Sequence, residues 1–273
     1  PSDWVLSAPP GAWETSGNTG ARCVSVGSTA ADSVRIWSQS GIAVQPFTPY
    51  RFSFYVKSAL DTTGGCAVSG PDFCNNDLQA TPNWQQESHV FITRPDQKEV
   101  SIRLGHWSQQ GNLYFDDVSI RPVVPVHKVF GAVTLGAGEK LVKGVYEYSA
   151  PLSDEGKNYS RLLQDFNAGF NSSRWVFGPG NFVVYRHEVG GIAQTEATVK
   201  PRIGWYAAGT CLVEAGVDGK QWTQIGKLDG IGGGEFKVPA SMLPAKAIYI
   251  RLRSPGQTET RADSAPGSFQ IHG

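Results

Sequence analysis

Apolar and polar residues alternate in short runs along most of this chain, and the runs stop at Gly, Pro, Asn or Asp. The segment 50–57 (YRFSFYVK) is one example, and further β-branched or aromatic runs fall at 21–26, 33–37, 89–93, 99–104 and 113–121. Alternation with period two predicts strands half-buried on a sheet. Helical periodicity is nearly absent; 159–166 (YSRLLQDF) is the one helix-like stretch. Regular short strands divided by turn residues predict a β-sandwich or barrel.

A second series of runs, at 144–148, 183–188, 197–206, 209–215 and 247–253, follows the segment 121–126 (RPVVPV), whose prolines favour a stiff extended connector. The expected organisation is an all-β chain with one domain over 1–122, a Pro/Val linker over 123–132 and a second domain over 133–273. At 273 residues, two sandwiches fit ordinary domain sizes. The end segment 268–272 (SFQIH) reads as a strand, and structure is expected to begin near Asp3 and Trp4. Both ends suggest a module taken from a longer, multidomain chain.

Composition narrows the function. Lys plus Arg (24) balances Asp plus Glu (24), so no bulk field favours nucleic acid or anionic lipid. No run reaches the roughly 18 apolar residues of a membrane span. Gly (32) and Pro (17) are spread along the chain and read as turns. The four cysteines form no CxxC or Cys/His metal pattern. Cys66 and Cys74 flank a short turn-rich segment, so a local disulfide or two thiols both fit; Cys23 and Cys211 read as buried thiols. A bridge would suit an oxidising, extracellular compartment.

The phrases YRFSFYVK (50–57) and GNLYFDDVSI (111–120), with Trp84 between them, resemble carbohydrate-binding modules of the family 4/9 type. The likeness covers the first domain and implies a jelly roll, although nothing like the opening N-G-x-F-E strand of that family precedes Asp3. In the second half, GTCLVEAGVDGKQWTQI (209–225) and AIYIRLR (247–253) are similar to discoidin-like, coagulation-factor C-type domains. Together these resemblances imply two tandem jelly-roll β-sandwiches of the galactose-binding-like kind. The first also implies a structural Ca²⁺ with Asp117, and Asp116 beside it, as ligands; carboxylate oxygens are what that hard cation requires.

Candidate chemistry is aromatic. The chain holds 8 Trp, 9 Tyr and 13 Phe. Sugar rings stack their C–H faces on such side chains while polar neighbours bind the hydroxyls. Two phrases repeat that pattern, RIWSQSG (35–41) and HWSQQG (106–111). Trp37 and Trp107 are therefore the expected platforms, with Gln39, Gln109, Arg35 and Arg103 as polar partners and Trp84 as a third ring; the competing reading has both Trp capping the core. In Tyr185-Arg186-His187-Glu188, alternation places Arg186 and Glu188 on one face, as a surface ion pair or a ligand contact. Asp154-Glu155 reads as solvated charge in a turn. Asn158 and Asn171 open sequons. No GxSxG elbow, phosphate loop, dinucleotide fingerprint or HExxH occurs, so no catalytic cofactor is expected.

The favoured expectation is a non-catalytic, secreted or cell-surface module that binds polysaccharide, in some cases as the accessory part of a multimodular carbohydrate-active enzyme. The alternative is a structural or adhesive surface-layer or fibre subunit that self-assembles through its sandwiches.

Overall fold

The computed structural model describes residues 3–30, 33–256 and, for the backbone alone, 268–272. The chain divides into two compact units, Pro1–Val124 and Pro125–Gly273. Both are β-sandwiches.

Among its described residues the first unit holds ten strands: β1 (Val5–Leu6), β2 (Gly11–Glu14), β3 (Cys23–Ser28), β4 (Val34–Ala43), β5 (Pro49–Ser58), β6 (Cys66–Pro71), β7 (Cys74–Leu78), β8 (Gln85–Ile92), β9 (Glu99–Trp107) and β10 (Gly111–Pro122). They form two antiparallel sheets in the orders β1-β4-β9-β6-β7 and β2-β3-β10-β5-β8. Pairs such as β4 with β9 and β3 with β10 join strands far apart in sequence, as a jelly roll requires. The alternation in β5 is followed closely: Tyr50, Phe52, Phe54 and Val56 are buried. Tyr50 stacks on Phe91 and Phe54 meets Phe115, with Ile102 and Leu104 of β9 also buried; each such side chain contributes about 1.5–3 kcal/mol by leaving water. Register shifts between Asp116 and Ser119 as β10 pairs with β5, and Asp117 takes a positive φ of 51° in that bulge.

The second unit opens with two hairpins, β11 (Lys128–Phe130) with β12 (Val133–Leu135), and β13 (Glu139–Val142) with β14 (Val145–Tyr148). One main sheet is built from β15 (Leu163–Phe166), β18 (Phe182–Glu188), β25 (Ala247–Arg253), β21 (Cys211–Gly216) and β22 (Thr223–Leu228), in that order. The other runs β16 (Gly169–Asn171), β17 (Arg174–Phe177), β26 (Ser268–His272), β20 (Arg202–Ala208) and β23 (Gly232–Gly233). β19 (Thr198–Val199) pairs with β24 (Phe236–Lys237). Trp175 is fully buried against Phe166 and Phe170, and its indole N–H donates to the Tyr185 hydroxyl at 2.8 Å. Asp218 and Gly219 turn β21 into β22; the Asp218 carboxylate accepts the Lys220 and Gln221 amides, which holds it below the usual carboxylate range.

Two expectations are corrected, and one open alternative is decided. The helix-like stretch 159–166 is a turn leading into β15, because Leu163 and Phe166 are needed in the sheet core. The supposed linker 123–132 contains β11 and the turn of its hairpin. Cys66 and Cys74 form no disulfide: all four cysteines are buried thiols. The β6–β7 hairpin pairs Ala67 with Leu78 and Ser69 with Asn76, which sends Cys66 to its open end and Cys74 to its turn. Burial pushes the thiols of Cys23 and Cys66 up to about 11 and that of Cys211 to about 12, so they are inert hydrophobes at neutral pH.

Candidate functional site

The two repeated Trp phrases end on opposite faces of one sheet. On β4 and β9, Trp37 faces Leu104, Arg35 faces His106 and Gln39 faces Ile102. Leu104, His106 and Ile102 are buried between the sheets, so this parity points inward. Trp37 is accordingly 9% exposed, and its indole N–H donates to the Ser25 carbonyl at 2.7 Å. It offers no stacking face and is withdrawn as a platform. Replacing it with Phe deletes that donor and leaves the Ser25 carbonyl short of a partner. The expected cost is about 1–2 kcal/mol in the thermal unfolding of the first unit.

The same parity corrects the polar partners. Arg35 is pinned away from the open face, its Nε donating to the Pro9 carbonyl at 2.9 Å and Nη1 to the Val34 carbonyl at 3.0 Å. Gln39 is half-buried on the inward register. Gln109 is only 4% exposed, with its Oε1 buried and without a hydrogen-bond partner.

Trp107 and Arg103 have the opposite parity and share the outer face of the sheet. Trp107, 57% exposed, lies across from Val34 on β4 and Cys66 on β6. Two residues back, Gly105 lies between Ile36 and Val68; two further back, Arg103 lies between Ser38 and Gly70. Asp77 of β7 sits opposite Val68. The face therefore has an aromatic end, a low apolar middle and a polar end, spread over about 13 Å of strand. Gly105 keeps the middle low: a Cβ there would stand 2.1 Å from the Arg35 carbonyl oxygen.

At the polar end, Arg103 Nη2 donates to the Pro71 carbonyl at 3.1 Å and to Asn75 Oδ1 at 3.4 Å, while Asn75 Nδ2 donates to Asp77 Oδ1 at 2.6 Å. Burial lowers the Arg103 pKa from its ordinary value, and nearby Asp72 and Asp77 oppose the shift. The arrangement presents a fixed cation, an amide and a carboxylate beside a flat ring. Asn75, Asp77 and Ile36 carry no signal in the sequence that separates them from other strand residues; only pairing brings them to Trp107.

Trp84 lies apart from this group. Its ring and that of Tyr114 flank the Lys57 ammonium at 4.8 and 5.1 Å, and Tyr114 and Lys57 pair on the other sheet of the sandwich. Asp116 and Asp117 hold the loop of Asn18 and Thr19. Asp116 Oδ2 accepts the Asn18 amide at 2.7 Å, and Asp117 accepts from Asn18 Nδ2 at 3.0 Å and Thr19 Oγ1 at 2.6 Å. A Ca²⁺ needs six to eight oxygens turned toward it. Here hydrogen-bond donors occupy the carboxylates, and among the described residues no cluster of three His, Cys, Asp or Glu surrounds a point.

In the second unit, Arg186 and Glu188 form an ion pair on the outer face of β18, while Tyr185 and His187 turn inward. Asn158 is buried, so its sequon is closed in the folded chain.

No protein-family model matches the chain, and no curated protein matches it. Among solved structures, it is similar to the enzymatically active domain of tailspike protein 4 from bacteriophage CBA120 (11% identity, TM-score 0.37), covering 45% of this chain and 20% of that one. It is similar to a CBM4 structure at 23% identity and TM-score 0.36, covering 45% of this chain and 96% of that one. The N-terminal CBM22-1–CBM22-2 tandem domain of Xyn10C from Paenibacillus barcinonensis aligns over 99% of this chain and 93% of its own, at 12% identity and TM-score 0.36.

Proposed function

We propose that this protein is a non-catalytic polysaccharide-binding module of the extracellular space, and that its first unit binds a neutral glycan along the outer face of β4, β9, β6 and β7. One observation carries the reading: Trp107, an exposed ring, shares a face with Arg103 across a floor kept low by Gly105. A pyranose C–H face stacks on the indole, and hydroxyls of sugars further along the chain meet Arg103, Asn75 and Asp77. No bond is made or broken, and affinity comes from stacking plus a few directed hydrogen bonds.

Trp107→Ala is expected to weaken retention on insoluble polysaccharide about tenfold, roughly 1.4 kcal/mol, with the melting temperature of the first unit unchanged. Binding of a neutral ligand should also persist in moderate salt. Retention of the variant equal to that of the native protein across a panel of neutral polysaccharides would sink the assignment of this face.

A second reading, an adhesive or fibre subunit, is favoured by the apolar side chains left in water on the two hairpins that open the second unit. Phe130 is 64% exposed, Val142 57% and Val145 58%. Concentration-dependent assembly in sedimentation velocity would support it; a monomer at all concentrations would remove it.

A further inference from the structure

The second unit carries a cleft that the sheet-face reading does not use. It lies wholly within that unit, between the start of the 125–127 segment, the turn at Ala137 and the loop 151–161. Val126 and Pro151 form apolar walls, and His127, Asp154, Tyr159 and Arg161 supply the polar lining. The Tyr159 hydroxyl lies 3.3 Å from His127 Nε2. Arg161 is set by a buried carboxylate: its Nε donates to Glu139 Oε2 at 2.8 Å and its Nη2 to Glu139 Oε1. Glu139 is itself held by the Gly136 amide at 2.6 Å and the Tyr146 hydroxyl at 2.8 Å. That clamp uses Nε and Nη2 and leaves the Nη1 hydrogens outside it.

Asp154 lines the same cleft, exposed, and forms no ion pair with Arg161. Two opposite charges in one concavity that do not pair present a separated donor and acceptor. Adjacent hydroxyls of a sugar ring supply the complementary acceptor and donor, while the ring's C–H surface suits the Tyr159 face and the proline wall. Net charge argues against an anion, because the Arg161–Glu139 pair is neutral and Asp154 adds one negative charge.

We infer that this cleft is a second, end-on binding site that takes a single neutral sugar residue, as a free glycoside or as a chain terminus. Asp154 accepts from one hydroxyl, Arg161 donates to its neighbour, Tyr159 packs on the ring, and Glu139 positions Arg161 without touching the ligand. The site stands independently of Trp107, so the chain would hold a glycan along one unit and a sugar end in the other.

Amide-shift NMR of the full chain tests this, using methyl α-mannoside, methyl β-galactoside and methyl β-xyloside, with methyl β-glucuronide as an anionic control. At least one neutral glycoside should move the amides of residues 154–161 saturably at millimolar concentration. Asp154→Ala and Asp154→Asn should each weaken that binding about tenfold, while Trp107→Ala leaves it unchanged. Asp154 is an exposed turn residue, and Asn retains the turn if Ala disturbs it. The glucuronide should bind more weakly than the neutral sugars. The proposal is overturned by no saturable shift with any of the three at tens of millimolar, by equal binding in Asp154→Asn, by loss of the shifts in Trp107→Ala, or by tightest binding of the glucuronide.

Discussion

Glu139→Gln is expected to destabilise the second unit by roughly 3–5 kcal/mol, the usual cost of leaving one charge of a buried pair without its partner. The Glu139 side chain is 1% exposed and its two oxygens accept from four donors: Arg161 Nε, Arg161 Nη2, the Gly136 amide and the Tyr146 hydroxyl. Burial alone would raise its pKa, but the hydrogen bonds from Arg161, Gly136 and Tyr146 outweigh it and hold the carboxyl below its ordinary range. A glutamine amide fails in either orientation, since its NH₂ faces donors and the Arg161 charge is left uncompensated. Denaturant unfolding of the two units would measure the loss, with Lys140→Gln as the control. Lys140 pairs with Glu147 at 2.7 Å, but both are more than half exposed, so that change should cost under about 1 kcal/mol. A Glu139→Gln protein as stable as the Lys140→Gln control would show that the network contributes nothing. The double variant Glu139→Met, Arg161→Leu should recover much of the loss, because it removes both charges together.

The second large effect is a loss of stability on mild acidification. His187 faces the rings of Tyr146, Tyr148 and Tyr185, and burial pushes its pKa down from 6.5 to about 4; Glu139 opposes the shift and Arg161 adds to it. The folded unit keeps His187 neutral, whereas the unfolded chain takes up a proton below about pH 6.5. Stability is therefore whole above pH 6.5 and falls as pH drops toward 4, by up to about 3 kcal/mol from this residue. The figure is an upper one, because the side chain retains a little solvent access. Glu139 acts in a different window, its contribution being lost only as pH falls below the ordinary carboxylate range. Calorimetry between pH 7.5 and 4 should show the melting of the second unit falling in the native protein and staying nearly level down to pH 5 in His187→Phe. Parallel curves for the two proteins would remove His187 as the cause. His106, buried in the first unit with its pKa also lowered by burial, acts in the same direction there and serves as an internal comparison.

The residues of these two predictions show where sequence reading stopped. Alternation in 50–57 was legible because a strand's inward residues must be apolar wherever one face is buried, and Tyr50, Phe52, Phe54 and Val56 meet that condition locally. The aromatic content was equally local. By contrast, Glu139 and Arg161 stand 22 residues apart with no periodic relation, and only the folding of the turn before β15 against β13 brings them together. The stretch 159–166 carries helix-like spacing yet ends as a strand, because the partner waiting for it in β18 decides the outcome.

The Trp phrases separate the two kinds of information most clearly. RIWSQSG and HWSQQG look alike; the first lies within β4, and the second leaves β9 after Trp107. Which ring faces water depends on the pairing of Trp37 with Leu104 and of Trp107 with Val34, contacts between segments about 70 residues apart. A slip of one residue would exchange the faces. The sequence by itself determined that this protein is a two-unit β chain rich in aromatic rings, since alternation and turn chemistry act over a few residues. Only the tertiary structure decided that Trp107, with Arg103, Asn75 and Asp77, makes a face while Trp37 fills a core, because register between distant strands is settled by the packing of the whole sandwich.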